Sequence, residues 1–357
     1  MYPEHVALNA HVVDFAGWEM PLYYTSILNE HMAVRNSAGI FDVSHMGELI
    51  LSGRRSEMSL DALSTNSIRG MPVGSCVYTH FLDERGRIID DTIATRTGKE
   101  EFLIVPNASK TDEVFNWVSR NADCDVLNLS SSVCCIAVQG PRAVESVSRF
   151  VPSARSLPSF HGAFSGNCTD SFEKAVGSSS FYVSRTGYTG EDGFELFTSD
   201  RDGPKLWNDI LAQGAATGMR PAGLGARDSL RLEKGYLLSG TDFDGSQTTL
   251  ETGYSWVVKW DHDFIGREAL LEQKNAGGYS RLTCLLVRGK SIPRHGDRFT
   301  FEGGSGQITS GGFSPVLSAP VAMGYAKPPP PVGTAVSIDT RGKSIPAEIV
   351  KPPFVRR

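Results

Sequence analysis

The sequence predicts an α+β protein that ends in a separate all-β domain, and three observations carry that reading. At 357 residues the chain is too long for one ordinary core, which calls for two or three domains. Strand-like runs and helical stretches are mixed along residues 1–276, the pattern of sheets covered by helices. Beyond Gly277-Gly278, a natural linker, only short strands separated by Gly and Pro remain, as in a small antiparallel barrel or sandwich over 279–357.

Taken in order, residues 11–24 (HVVDFAGWEMPLYY) read as an extended segment broken at Pro21. Ser26 suits the N-cap of a helix over 26–36, with Asn29 and Glu30 in its first turn. Phe41, Val43 and Met46 in GIFDVSHMGE mark the entry to a strand that continues through 49–53, and a helix follows near 56–64. The runs 76–82 and 88–94 flank Asp83-Glu84-Arg85-Gly86 and predict a β-hairpin. Asp90 and Asp91 then stand mid-strand on opposite faces. Aspartate is depleted in strands, so either this is an edge strand with both carboxylates hydrated, or one of them faces inward or into a pocket. A strand over 101–106 closes on Asn107, a helix spans 111–121, and another spans 141–150 with Pro141 at its first position.

Residues 184–196, SRTGYTGEDGFEL, organise the centre of the chain. Two extended segments flank a turn holding Gly187, Gly190 and Gly193, where the backbone can take positive φ or approach another group closely. Alternation puts Phe194 and Leu196 on one face of the second strand and Glu195 with Phe197 on the other. Glu195 either points into water or meets two parallel donors on a planar amino-heterocycle. Helices follow at 203–217 and 226–236, the latter carrying Arg227, Arg231 and Lys234 on one face. Such a basic stripe is ordinarily a solvated face. Gly223-Leu224-Gly225 lacks a preceding strand and the third glycine of a dinucleotide fingerprint. A short helix at 267–273 and strands at 281–287, 299–301, 306–309, 321–326, 335–339 and 347–350 complete the chain.

Composition excludes several functions. A net charge of −5 opposes duplex binding, which needs clustered cations, so no nucleic-acid partner is expected. No apolar run approaches the roughly 20 residues of a membrane span, and residues 1–5 lack signal-peptide features; the expected location is cytoplasmic, or an organelle matrix. Six cysteines at 76, 124, 134, 135, 168 and 284 form no Cys-x-x-Cys pair and read as reduced core residues. Asn107, Asn128 and Asn167 begin sequons that count for little without a secretory signal. There is no P-loop, His-Glu-x-x-His, nucleophile elbow or EF-hand, and none of the eight histidines forms an i, i+4 pair, so no metal is expected. What remains is a set of carboxylates, aromatics and one cation: Tyr78, Asp90, Asp91, Tyr188, Glu195, Arg227 and Tyr236.

FAGWEMP (15–21), FDVSHMGE (41–48), IIDD (88–91), QGP (139–141), SRTGYTGEDGFEL (184–196), GLGARDSLRLE (223–233) and SP…AMGY (314–325) together resemble the glycine cleavage system T-protein, or aminomethyltransferase, family over essentially the whole chain. The resemblance implies two interleaved antiparallel-sheet α+β domains around a central folate cavity, roughly 1–48 with 136–202 and 49–135 with 203–278, plus a C-terminal antiparallel β-barrel at 279–357. It implies an enzyme that moves the aminomethyl carbon from the dihydrolipoyl arm of H-protein to tetrahydrofolate, with release of ammonia. Tetrahydrofolate is then a co-substrate, no metal is used, and the lipoyl group belongs to the partner. Asp91 matches the family's catalytic carboxylate. Met46, Tyr78, Asn107, Tyr188, Glu195, Arg227 and Tyr236 match positions that bind folate. Arg87 stands where the family usually has Gly, putting the hairpin's shape or a cation near Asp91 in question, and Thr249 where Pro is common. Related folds include folate-dependent demethylases, the folate domain of sarcosine-type dehydrogenases, and non-enzymatic folate-binding proteins of iron–sulfur assembly. The last show a Lys-Gly-Cys-Tyr type motif, whereas Lys234-Gly235 here is followed directly by Tyr236. An acidic carrier would dock through local cations, for which Arg231, Lys234 and the Arg356-Arg357 tail tied down by Phe354 are the candidates.

Overall fold

In the computed structural model, which describes residues 1–165, 171–178 and 180–356, the chain divides into two compact units: 1–81 with 90–227, and 82–89 with 228–357. Cys168, the Asn167 sequon and Arg357 lie outside the described residues.

The first unit opens with α1 (Tyr2–Ala7) and the strands β1 (His11–Phe15) and β2 (Trp18–Tyr23). These two form a hairpin of their own, so the expected break at Pro21 does not occur. The chain reverses at Ala16-Gly17, both at positive φ, and Pro21 is accommodated because a two-stranded ribbon has only edge strands. α2 (Ile27–Asn36) begins at the foreseen cap, with Ser26 Oγ accepting from Asn29 N–H at 3.2 Å. β3 (Gly39–Asp42), β4 (Leu49–Ser52), α3 (Ser56–Leu63), β5 (Cys76–Leu82), β6 (Ile88–Gly98), β7 (Glu101–Val105), α4 (Thr111–Asn121) and β8 (Asp125–Asn128) follow. Next come β9 (Val133–Gln139), α5 (Ala143–Val147), β10 (Gly162–Phe164), α6 (Phe172–Val176), β11 (Tyr182–Ser184), β12 (Gly193–Ser199), α7 (Gly203–Gly214), β13 (Arg220–Pro221) and α8 (Leu224–Lys234), whose residues from Asp228 on count with the second unit. α5 is shorter than expected and starts two residues after Pro141, which sits in the preceding turn.

Two sheets organise this unit. One runs β10-β11-β12-β9-β3-β13, antiparallel except for the parallel β3–β13 pair, and the other runs β5-β6-β7-β4-β8. The strands of the second sheet all come from residues 49–128, between β3 and β9 of the first. Phe194, Leu196, Ile136, Val138 and Ile40 face one way and bury with Trp207 and Ile210 of α7. Residues 203–221 therefore lie with the first sheet rather than with 49–135 as expected, because α7 covers its apolar face and β13 extends its edge.

In the second unit α9 (Arg267–Ala276) precedes β14 (Arg281–Val287), β15 (Arg298–Phe301), β16 (Gly304–Ser314), β17 (Ala319–Lys327), β18 (Ala335–Thr340) and β19 (Lys343–Val350). These six close into a barrel in the order β14-β17-β16-β15-β18-β19, filled by Leu285, Val287, Phe299, Ile308, Ile338 and Ile349. A closed barrel leaves no unpaired edge. The architecture is thus α+β with a C-terminal β-barrel, as the sequence predicts. No helix among the described residues is long and apolar enough to cross a membrane.

Candidate functional site

Strand β6 lies between β5 and β7, so it is interior to its sheet, and Asp90 on it is fully buried. The edge-strand reading with two hydrated aspartates does not hold. Asp91, on the other face, is half-buried. Asn107, just past β7, ties the two together. Its backbone N–H donates to Asp90 Oδ2 at 2.8 Å, and its side-chain amide donates to Asp90 Oδ1 at 2.8 Å and to Asp91 Oδ1 at 2.6 Å. Tyr78, from the neighbouring β5, donates its hydroxyl to Asp91 Oδ2 at 2.7 Å. Asp91 is therefore a partly accessible carboxylate whose two oxygens are each fixed by a donor of the first unit.

A second group surrounds Glu195. The alternation of β12 is as foreseen: Phe194 and Leu196 enter the core, while half-buried Glu195 turns to the opposite face. Thr186 Oγ1 donates to Glu195 Oε2 at 2.5 Å, and Thr186 is itself 2.6 Å from Ser184 Oγ. The glycines of the intervening turn have a specific purpose. A Cβ on Gly187 would stand 1.9 Å from Gln139 Oε1, and one on Gly193 would stand 2.5 Å from Gln139 Nε2. The Gln139 amide occupies that space, donating to Thr186 C=O at 3.0 Å and accepting from Thr189 Oγ1 at 2.9 Å. Tyr188, in the same turn, lies under the Arg227 guanidinium, whose carbon is 4.7 Å from the ring centroid. Arg227 is aimed there by α8, whose start is fixed where Gly223 N–H donates to Glu30 Oε2 at 3.0 Å.

The loop 43–48 joins the two groups. Gly47 N–H donates to Pro106 C=O at 3.0 Å, next to Asn107, and half-buried Met46 precedes it. On either side of Met46 and Gly47 stand two buried titratable side chains that sequence reasoning missed, His45 and Glu48. Burial lowers the His45 imidazole to about 3, and the Arg227 cation adds to the effect. Burial pushes the Glu48 carboxyl well above the usual carboxylate range, and the charge of Glu195 adds to it. Neither oxygen of Glu48 nor Nδ1 of His45 has a hydrogen-bond partner among the described residues. Met46, Tyr78, Asp91, Asn107, Tyr188, Glu195 and Arg227 thus all belong to the first unit, in two groups linked by this loop. Tyr236 belongs to the second unit, where its N–H donates to Arg231 C=O at 3.0 Å just past the end of α8.

Two expectations about cations are corrected. Arg231 is not on a solvated or docking face: it is 2% exposed and donates to Asp242 Oδ2 at 2.7 Å. Arg231 also reaches Ser310 Oγ of β16, in the same unit, at 3.0 Å. Arg87 pairs with Asp83 at 3.3 Å inside the hairpin turn, which keeps its tight geometry. Phe354 does pack on the second unit, against the cluster of Leu232, Cys284 and Met323. Among the described residues no group of three His, Cys, Asp or Glu side chains is placed to hold a metal ion.

Comparison with known proteins gives a consistent result. Residues 1–262 match the family model of the GCVT N-terminal domain, and residues 281–356 that of the glycine cleavage T-protein C-terminal barrel domain. The chain is 41% identical to an aminomethyltransferase of Pseudothermotoga lettingae and 43% identical to one of Thermotoga petrophila, in each case over 100% of this chain and 97% of the relative. The crystal structure of glycine cleavage system aminomethyltransferase T from Bartonella henselae superposes with a TM-score of 0.90 at 31% identity, covering 99% of this chain and 96% of that one.

Proposed function

The chain belongs to the glycine cleavage T-protein (aminomethyltransferase) family, and we propose that it carries out the full transfer: the aminomethyl carbon leaves the dihydrolipoyl sulfur of a lipoylated H-protein, ammonia is released, and the carrier thiol is restored. Tetrahydrofolate supplies the accepting nitrogens and departs as 5,10-methylene-tetrahydrofolate. The observation that carries this reading is Asp91, a half-buried carboxylate on an interior strand with one oxygen held by Tyr78 and the other by Asn107.

A carboxylate fixed in this way needs no reorganisation when positive charge develops on the carbon–nitrogen unit in transfer, and such preorganised charge is the usual large term in catalysis. Glu195, with Oε2 steadied by Thr186, takes the amino edge of the pterin through two parallel hydrogen bonds. Arg227, held over Tyr188, offers its guanidinium to the folate, and Met46 and Tyr188 supply apolar and aromatic surface. The residues fit a polar heterocycle: the buried oxygens of Glu48 and Nδ1 of His45 are polar atoms that the described residues leave unsatisfied. Glu48, whose carboxyl burial pushes well above the usual carboxylate range, can hold a proton and donate it in a hydrogen bond.

The test is ammonia release from aminomethylated H-protein with and without tetrahydrofolate. Rapid release coupled to methylene-folate formation is expected only with folate present. A chain that binds folate but does not discharge the carrier would instead be a binding protein of the same fold.

A further inference from the structure

His80 lies two residues beyond Tyr78 on β5 and therefore on the same face of the strand. It is fully buried, and its backbone is fixed on both sides by Thr65: His80 N–H donates to Thr65 Oγ1 and His80 C=O accepts from Thr65 N–H, each at 3.1 Å. The imidazole meets the Tyr78 ring edge-on, with centroids 5.4 Å apart at 78°, and its Nε2 lies 3.2 Å from Tyr78 Oη. Tyr78 Oη is in turn 2.7 Å from Asp91 Oδ2.

A phenol has one proton. Because Asp91 accepts at Oδ2, that proton is committed to the carboxylate, and the contact between His80 and Tyr78 is a hydrogen bond only if His80 donates from Nε2–H. We infer that His80 is a positioning residue for the transfer reaction: as the Nε2–H tautomer it donates to Tyr78 Oη, holding the phenol's proton on Asp91 and thereby fixing the reacting carboxylate. The chain His80–Tyr78–Asp91 then runs in one direction, each donor polarising the next. Burial lowers His80 to about 3, so the ring stays neutral and brings no competing positive charge to the carboxylate. The consequence for activity rests on the transferase reading; the hydrogen-bond chain itself does not.

Two measurements test it. Nitrogen-15 chemical shifts of the histidine rings in the intact, substrate-free protein should show His80 as the Nε2–H tautomer; an Nδ1–H tautomer overturns the inference, whether or not the protein transfers aminomethyl groups. For the reaction, His80→Leu should lower kcat about 5- to 10-fold with the KM for tetrahydrofolate within about twofold, and His80→Gln, whose amide can donate from nearly the same place, should recover most of the loss. In a Tyr78→Phe background His80→Leu should cost nothing more. A loss of equal size in that background, or His80→Gln as slow as His80→Leu, shows that His80 only fills space and overturns the positioning role. If His80→Leu does not fold, the tautomer and the His80→Gln cycle with Tyr78→Phe decide the question.

Discussion

Each unit of the molecule buries a polar network around an aspartate, and the two networks are built to opposite ends. Asp242 in the second unit is 0% exposed; Oδ2 accepts from Arg231 at 2.7 Å and from Leu238 N–H at 3.0 Å, and Oδ1 accepts from Thr309 at 2.5 Å and Ser310 at 2.7 Å. Its charge is cancelled by a guanidinium and spread over strand hydroxyls, which joins α8 to β16. Asp91 in the first unit instead accepts from a phenol at one oxygen and an amide at the other, two neutral donors that fix its position. Burial of a carboxylate therefore does not reveal its role. Accessibility and partners together separate the two: Asp242 is sealed against a guanidinium, while Asp91 is half-buried, as its proposed role requires.

The sharpest way to break this comparison is Arg231→Met, which keeps most of the volume but strands the Asp242 charge. Loss of one partner of a buried pair costs about 3–5 kcal/mol, so the unfolding midpoint in denaturant should fall steeply. A shift below about 1 kcal/mol would mean that the hydroxyls alone carry Asp242. In Asp91→Asn the effect should move from stability to rate: kcat should drop by about 10²-fold while the melting temperature changes little. Turnover within a few-fold of the native enzyme would put the catalytic charge elsewhere.

Glu195→Gln should act on binding. An amide can accept one of the two heterocycle donors but must present its own N–H to the other, so the Kd for tetrahydrofolate should weaken by about 1.5–3 kcal/mol with a smaller change in kcat. Titration calorimetry decides this, and an unaltered Kd returns Glu195 to a structural hairpin position. The smallest and most specific effect concerns Glu48, whose carboxyl is raised by burial and then by Glu195. Between its ordinary value and its raised value the folded state binds a proton that the unfolded state has lost, so its contribution to stability is complete at acid pH and declines as pH rises. Glu48→Gln removes that dependence. Relative to the native chain the variant should gain stability with increasing pH, by at most about 1.4 kcal/mol per pH unit, in melts compared at pH 5, 6.5 and 8. A difference that is flat with pH would show that Glu48 does not hold an extra proton.

Much of the fold was legible because the signals were local. Ser26 announced its helix through its own side chain, the 76–94 hairpin through its turn residues, and the orientation of Glu195 through simple alternation. The two aspartates were legible as anomalies, since the sequence pattern conflicts with the residue type at those positions. What was hidden depends on partners distant in sequence. Arg231 looked like part of a surface stripe because its counter-charge, Asp242, and its hydroxyl partner, Ser310, lie in separate later segments. The glycines at 187 and 193 read as places of positive φ or of close approach to another group; the close approach holds, but the group itself, the side chain of Gln139, is distant in sequence. His45, Glu48 and His80 gave no comparable signal, because what marks them is burial and neighbours such as Arg227 for His45 and Glu195 for Glu48, which lie far away in sequence.

The interleaving of the sheets also has a consequence for how the protein is made. Strand β3, complete at Asp42, stays without its central partner until β9 begins at Val133, and β12 and β13 arrive later still. At about 5–20 residues per second a ribosome takes several seconds or more over that interval. The intervening residues 49–128 hold all five strands of the other sheet, so that sheet can close on the nascent chain while the first segment waits with Ile40 and Phe41 uncovered. Codon choice and chaperone access in this interval, rather than at the termini, should therefore govern the soluble yield of the newly synthesised protein.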